Sequence, residues 1–334
     1  MAYIIAEIGN NHNGNIEKCL QLFKSAAESG ADAVKIQSFT GKDIISPNIK
    51  STLYPDWDSK GYEYWYQFLD SIALPLEDHQ TAIDYANELG VDFITTPVTP
   101  DIVYFLETLE GIKGYKIASM DLNNIDLIEA LSKTNKSIII STGMSDLNEI
   151  DQVVSILKNN ELSILHCISD YPLNPDDAAL NNIKTLKENF SKYKIGFSDH
   201  SLGYELALIA ITLGADIIEK HFTLDRNDED SAEHHFSMEP KDLKSLVEWS
   251  KTLDKNFKIT QWKRSRKEQS NKDQVRRSFH YKKDLPKNHI LKREDLIFIR
   301  PGDGLDFDNI DKILNQKLTS DKKAYTACYL DDIK

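Results

Sequence analysis

A repeated alternation of short apolar runs and helix-like stretches over residues 3–250 constrains the fold of this chain more than any other feature. Three junctions repeat one phrase, SGADAVKI, LGVDFIT and LGADIIE, with a glycine where a helix would end. The apolar runs have the length and composition of buried strands. They are Tyr3–Ile8, Ala33–Gln37, Asp92–Thr95, Gly114–Ala118, Ser137–Ser141, Ser163–His166, Lys194–Phe197 and Asp216–Lys220. Eight strand-helix units in about 250 residues predict an α/β fold, the (β/α)8 barrel.

The composition changes after the eighth unit, which indicates a second and smaller domain. Residues 256–275 are polar and charged, as is typical of a linker, and residues 276–334 are long enough only for a small compact module. We therefore expect a barrel domain over 1–255, a linker over 256–275 and a small domain over 276–334.

The charge and the cysteine content limit the partners of the chain. A net charge of −13 argues against a nucleic-acid binder, which normally presents a basic field to phosphates. The three cysteines are widely spaced and suggest neither a disulfide framework nor a cysteine zinc site. The first residues lack a basic start, and no apolar run reaches the ~18 residues of a membrane span. We expect a cytoplasmic protein with no membrane partner.

Polar residues gather at the predicted carboxyl ends of the strands, where barrels of this type carry their functional groups. The residues at these ends are Glu7, Lys35, Gln37, Thr95, Thr96, Lys116, Ser119, Asp121, Ser141, Thr142, His166, Ser169, Ser198, Asp199, His200, Lys220 and His221. The candidate site is expected at this end of the barrel.

Lys35 and Lys116 lie in otherwise apolar runs, where an unpaired ammonium group is costly. A bound phosphate or carboxylate would offset that cost, and salt bridges to Glu7 or Asp121 are the structural alternative. Nearby hydroxyl groups add neutral donors, so the set could hold a small, multiply charged acid such as phosphoenolpyruvate. These hydroxyls belong to Thr96, Ser119, Ser141 and Ser198.

His200 and His221 end adjacent predicted strands, so their imidazoles could converge on one metal ion. A two-histidine site completed by water or substrate oxygen would suit manganese or another divalent ion that polarises a carbonyl group. The alternative is that each histidine is only hydrogen-bonded within the fold.

Ordered motifs resemble those of the sialic acid synthase family. They are AEIGNNHNG, AVKIQ, YKIAS, STGMS, LHCISDYP, GFSDHSLG and EKHF, and RRSFHYKKDLPKNHILKREDLIFIRPGDG is similar to that family's C-terminal antifreeze-like (SAF) domain. The resemblance covers nearly the whole chain. It implies a (β/α)8 TIM barrel, a SAF domain and a domain-swapped homodimer. It also implies manganese-assisted condensation of phosphoenolpyruvate with N-acetylmannosamine or a related amino sugar, giving a nonulosonic acid and, by C–O cleavage, phosphate.

The resemblance also assigns residues. It implies that His200 and His221 bind the metal. It also implies that Tyr171 lies beside the sugar, that Gln37 contacts the sugar, and that Arg300 reaches the sugar from the partner subunit. Ser169 stands where some members have Asn. It places phosphoenolpyruvate against Lys35, Thr96, Lys116, Ser119, Ser141 and Ser198.

Two departures from the family pattern concern the acceptor sugar. Asp121 stands where the family usually has Glu, and Glu233 stands where it usually has Asp. Each change moves a carboxylate by about one methylene group, so an altered sugar is expected. Glu7 is the candidate for orienting or deprotonating the water that adds to the enol carbon, and a salt bridge to a lysine is its alternative.

Two other functions stay open at this point. A phosphoenolpyruvate-dependent aldol-type synthase acting on a phosphorylated sugar would need a second phosphate site, and few basic groups remain once Lys35 and Lys116 are used. Alternatively, the C-terminal module could bind ice or carbohydrate, with the barrel as a scaffold.

Overall fold

The computed structural model describes residues 1–53, 60–229, 231 and 233–334. The chain forms two compact units, Met1–Lys258 and Ile259–Lys334. The larger unit carries the repeated strands and helices, and the smaller unit carries the C-terminal module.

Eight parallel strands of the larger unit pair in chain order, and the last pairs with the first, which closes a barrel. This confirms the predicted (β/α)8 architecture. The strands are β1 (Tyr3–Gly9), β2 (Ala33–Ser38), β3 (Asp92–Pro97), β4 (Ile112–Ile117), β5 (Ser137–Ser141), β6 (Leu162–Cys167), β7 (Lys194–Asp199) and β8 (Ile217–His221). Several extend past the predicted apolar runs because polar residues continue the hydrogen-bonded ladder, as the pairing of Asp199 with Lys220 shows.

Helices connect the strands. They are α1 (Ile16–Glu28), α2 (Gly41–Ile44), α3 (Trp65–Ile72), α4 (His79–Leu89), α5 (Pro100–Leu106), α6 (Ile125–Ser132), α7 (Leu147–Ile156), α8 (Asn182–Asn189), α9 (Glu205–Thr212) and α10 (Pro240–Phe257). Asn15 starts α1 by accepting a hydrogen bond from the Lys18 amide, and Gly30, with φ +92°, follows the end of the helix. The short helices α2 and α3 lie in the long segment between β2 and α4, where the sequence predicted none.

The barrel interior is filled in layers, as its strand geometry requires. One layer is apolar and comprises Ile5, Ala33, Ile94, Ile139, Leu165 and Ile217. Side chains alternate along a strand, so the residues two positions further face the same interior. These residues are Glu7, Lys35, Thr96, Ser141, Cys167 and Glu219. An apolar floor therefore lies directly beneath a polar layer at the carboxyl ends of the strands.

The smaller unit begins with α11 (Arg266–Val275), followed by the antiparallel strands β9 (Ser278–Tyr281) and β10 (Leu296–Ile299). Helix α11 occupies part of the segment interpreted as a linker. The unit has its own apolar core, which includes Phe279, Tyr281, Leu291, Leu296, Ile313 and Leu318. All three cysteines are buried and free. No helix in the described ranges is both long and apolar enough to span a membrane.

Candidate active site

Four buried ionisable side chains from β1, β2, β4 and β8 form the polar layer, which we call the paired-charge layer: Glu7, Lys35, Lys116 and Glu219. Lys35 Nζ lies 2.6 Å from Glu7 Oε2 and 3.8 Å from Glu219 Oε2. Lys116 Nζ lies 3.9 Å from Glu219 Oε1. The Glu219 carboxylate thus bridges the two lysines, and two cations face two carboxylates without bulk water.

Burial and neighbouring charge act against each other in this layer. Burial alone would raise the pKa of Glu219, but Lys116 and Lys35 outweigh it and lower that pKa to about 2. Burial also opposes the charge on Lys35, yet Glu219 and Glu7 raise its pKa. Burial raises the pKa of Glu7, and Lys35 only partly offsets this. Glu7 is therefore closer to protonation than Glu219, because Glu219 faces a second lysine.

The pKa of Lys116 is lowered, chiefly by burial and only partly restored by Glu219. Besides its contact with that carboxylate, its ammonium group donates to the Ile117 carbonyl at 3.1 Å. An additional anion in the layer would complete the neutralisation of this lysine, since opposite charge favours the ammonium form.

Hydroxyl groups surround the paired-charge layer. Lys35 donates to Thr96 Oγ1 at 3.1 Å, and Ser198 Oγ donates to Glu219 Oε1 at 3.0 Å. Ser141 Oγ and Ser169 Oγ are buried and have no hydrogen-bond partner within the part of the chain that the structure describes. Buried hydroxyls normally find partners, so these two are available to a ligand.

The loop after β5 packs closely on two of the predicted site residues. The Gly143 amide donates to Ser119 Oγ at 3.0 Å, and a Cβ at Gly143 would overlap Ser169 Oγ. Only glycine at position 143 leaves room for the hydroxyls of Ser119 and Ser169. These two predicted site residues, which follow β4 and β6, are therefore close together.

Next to the paired-charge layer lies a second group, which we call the histidine end: Tyr171, His200, His221, Glu233 and Phe236. The imidazole centroids of His200 and His221 are 5.6 Å apart. The Tyr171 ring packs at a tilt against His200 with centroids 4.1 Å apart, and the Phe236 ring centroid lies 4.9 Å from that of His221. The structure thus brings the two predicted metal ligands together, as adjacent strands should.

The His200 imidazole has the properties of a ligand for a divalent transition metal. His200 Nδ1 lies 2.8 Å from the Ile168 carbonyl, which leaves Nε2 as the free ring nitrogen. Burial, followed by the nearby His221, lowers the pKa of His200 to about 3, so its ring is neutral and has a lone pair to give. Among the described residues, no group of three or more His, Cys, Asp or Glu side chains is arranged to hold a metal.

The remaining predicted residues occupy three different places. Gln37 lies on β2, two residues beyond Lys35, and is partly buried. Asp121 ends the short turn Ser119–Asp121 after β4, and burial raises its pKa. Arg300 belongs to the smaller unit, directly after β10, and is exposed.

Sequence reasoning missed Glu219. The polar residues named for the eighth strand were Lys220 and His221, but Lys220 pairs with buried Asp199 at 2.9 Å and with the Ser201 carbonyl. The signal was present in the sequence: because side chains alternate along a strand, a site-facing His221 requires a site-facing Glu219 and an outward Lys220. His166, which the sequence also placed among the strand-end residues, is likewise engaged within the fold, because its Nε2 lies 2.8 Å from the Ala178 carbonyl.

Comparisons with known proteins found matches along most of the chain. Residues 22–260 match the model of the NeuB family, and residues 276–333 match that of the SAF domain. An N,N'-diacetyllegionaminic acid synthase of Campylobacter jejuni is 36% identical over 325 residues, covering 96% of each chain. A pseudaminic acid synthase of that species is 32% identical over 326 residues, 96% of this chain and 93% of the other.

A solved structure of similar sequence matches the fold as well. The crystal structure of N-acetylneuraminic acid synthetase from Leptospira borgpetersenii superposes with a TM-score of 0.71 at 31% identity. The match covers 81% of this chain and 90% of that chain.

Proposed function

The chain belongs to the NeuB family, and from that premise we propose that it is a transferase that condenses phosphoenolpyruvate with an N-acylated amino sugar. The products are a sialic-acid-type nonulosonic acid and phosphate. The observation that carries this proposal is the paired-charge layer, in which Lys35 and Lys116 are buried at the carboxyl ends of two strands.

Phosphoenolpyruvate would bind across that layer. Its carboxylate and phosphate would meet Lys35 and Lys116, and the surrounding hydroxyls would donate to its remaining oxygens. The hydroxyls are those of Thr96, Ser119, Ser141 and Ser198. Buried cations interact strongly with such an anion because little water screens them.

The two histidines would hold a divalent ion, and manganese is our first candidate. With two protein ligands, the ion would take its others from water or substrate, and it would polarise the aldehyde carbonyl of the open-chain sugar. Tyr171 would pack beside that sugar, since its ring lies against His200.

The bond changes would follow from this arrangement. The alkene carbon of phosphoenolpyruvate attacks the aldehyde carbon, and water adds to the enol carbon. The resulting phosphate hemiketal loses phosphate by C–O cleavage and leaves a keto acid. Glu7 would orient or deprotonate the water, because its carboxylate is the less firmly ionised one in the layer and also faces His221.

The acceptor is the finer part of the proposal. Gln37, Asp121, Ser169 and Glu233 would contact it, and Asp121 and Glu233 differ from the usual family pattern by one methylene group. Curated relatives are named for three different nonulosonic acids. We propose a non-standard acceptor, such as a dideoxy-diamino hexose, rather than N-acetylmannosamine.

A panel of acceptors tests this proposal. Phosphate release from phosphoenolpyruvate would be measured with N-acetylmannosamine, with dideoxy-diamino hexoses and with their phosphorylated forms. We expect the highest kcat/KM with an unphosphorylated diamino sugar, and the Asp121→Glu variant should move the preference toward N-acetylmannosamine. A wild-type preference for N-acetylmannosamine would refute the altered acceptor, and a preference for a phosphorylated sugar would favour the aldol-type alternative.

We also propose that Arg300 reaches the sugar from the partner subunit of a domain-swapped homodimer. Its guanidinium group could grip sugar oxygens in fixed geometry. Lys35→Ala and Arg300→Ala homodimers should each be inactive. Co-expressed, they should recover about a quarter of wild-type sites, because a mixed dimer contains one site with both residues intact. If Arg300 serves its own barrel, co-expression recovers nothing.

A further inference from the structure

The carboxylate of Glu233 is fixed by the loop that follows β1. The Asn10 amide donates to Glu233 Oε2 at 3.0 Å, and Asn10 Nδ2 donates to Oε1 at 3.3 Å. Gly9, with φ +54°, lets the carboxylate approach, since a Cβ there would overlap Oε2. Both carboxylate oxygens therefore have protein partners before any substrate enters.

The backbone around Glu233 is held by the same loop. Asn11 Nδ2 donates to the Phe222 carbonyl and to Ser237 Oγ, both at 2.9 Å. Ser237 Oγ in turn donates to the Glu233 carbonyl at 2.6 Å. The loops after β1 and β8 are thus joined at both the side chain and the main chain of this residue, which limits its movement.

One oxygen of this fixed carboxylate lies beside a candidate metal ligand. Glu233 Oε2 is 3.3 Å from His221 Nδ1, a charge contact, and that ring nitrogen makes no hydrogen bond to any described residue. At His200 the Ile168 carbonyl takes the corresponding place and is hydrogen-bonded to Nδ1. In both rings an acceptor lies at Nδ1, and Nε2 is the nitrogen left over.

We propose that Glu233, held in place by Asn10, is a positioning residue for His221 in addition to its proposed place beside the sugar. A carboxylate at Nδ1 keeps the proton on that nitrogen, fixes the ring orientation and leaves the Nε2 lone pair for a metal. The inference rests on the proposed metal role of His221 and adds a residue that tunes it.

Manganese binding to the substrate-free, full-length protein tests the inference. The concentration of free Mn2+ would be measured by electron paramagnetic resonance while Mn2+ is titrated into four proteins. They are the wild type, Glu233→Gln, Asn10→Ala and Asp228→Asn. The last variant is the matched control, because it removes a negative charge from the same loop at a residue that contacts Lys18 and His234 and not His221. Phosphoenolpyruvate affinity, measured by calorimetry, would check that each variant retains a folded site.

We expect Glu233→Gln to weaken Mn2+ binding about 10- to 100-fold, the usual cost of losing a partner of a metal-bound histidine. Asn10→Ala should cause a smaller loss in the same direction, and Asp228→Asn should bind as wild type does. Unchanged Mn2+ affinity in Glu233→Gln, with only the acceptor KM raised, would overturn the inference and leave Glu233 only its place beside the sugar. A wild type that binds no Mn2+ would overturn the proposed metal site itself, which is a distinguishable failure.

Discussion

The paired-charge layer and the histidine end lie side by side in one barrel, but their buried polar groups are stabilised differently. In the layer, Lys35 and Lys116 each face a carboxylate of the protein itself, although for Lys116 this only partly offsets burial. At the histidine end, burial keeps His200 uncharged. A ligand entering the layer must therefore compete with internal ion pairs, whereas a metal bound at the histidine end would meet a lone pair of His200 that is already free.

Breaking one ion pair of the layer should give the largest effect. Lys116→Met leaves Glu219 with one buried cation instead of two, which should lower stability by about 3 kcal/mol. It should also lower kcat by about 100- to 1000-fold, because a buried contact to the anionic substrate is lost. Chemical denaturation and phosphate release would measure the two losses.

Adding Glu219→Gln should separate the two effects. The double variant should recover most of the stability, since no uncompensated carboxylate remains, but none of the activity. Lys113→Met is the control, because this lysine lies on the same strand but is exposed, and it should match wild type in both assays. Equal stability of all four proteins would contradict the ion-pair account of the layer.

The paired-charge layer and the histidine end should also bind different ligands independently of each other. His200→Ala should weaken Mn2+ binding by more than about 100-fold, exceeding the usual cost of a supporting contact alone. Its affinity for phosphoenolpyruvate, titrated calorimetrically without metal, should stay within about threefold of wild type, as expected for contacts that do not couple. If the two affinities fall together, the division into two groups is wrong.

Lowering the pH should have a smaller effect, on the stability of the folded protein. Next to the histidine end, His12 is fully buried, its Nδ1 accepts from the Gly14 amide at 3.1 Å, and burial lowers its pKa from 6.5 to about 4. The unfolded chain then takes up a proton at higher pH than the folded protein. Stability from this group is therefore complete above pH 6.5 and is lost as the pH falls toward 4.

Replacing His12 should remove that dependence. His12→Asn keeps an acceptor near the Gly14 amide and cannot be protonated. Between pH 6.5 and 5, wild type should lose up to about 1.4 kcal/mol per pH unit relative to this variant. Glu219 titrates lower, since its pKa is about 2, so Glu219→Gln should follow wild type across this range. Parallel stability curves for wild type and His12→Asn would contradict the assignment.

Much of the fold could be predicted because strand patterning is local. The apolar runs located all eight strands, and their ends located Glu7, Lys35, Lys116, His200 and His221. Alternation along β8, applied strictly, would have added Glu219. Helices α2, α3 and α11 were not predicted, because short or polar helices carry little apolar periodicity.

The roles of some residues depend on distant contacts that no local pattern contains. Glu233 and Asn10 are 223 positions apart, and their contact follows from the closure of β1 against β8. The sequence offers the pairing of Glu7 with Lys35 as an alternative, but the second contact of Lys35, to Glu219, requires three strands to be placed together. Such contacts appear only once the barrel closes.

The reaction itself is the central claim, and an isotope label tests it most directly. Phosphoenolpyruvate carrying 18O at the oxygen between carbon and phosphorus would be incubated with the enzyme, manganese and the preferred amino sugar. The released phosphate would then be examined by 31P nuclear magnetic resonance. C–O cleavage predicts that the phosphate retains the 18O label and shows the corresponding isotope shift. Unlabelled phosphate, or no phosphate with any acceptor, would contradict the account.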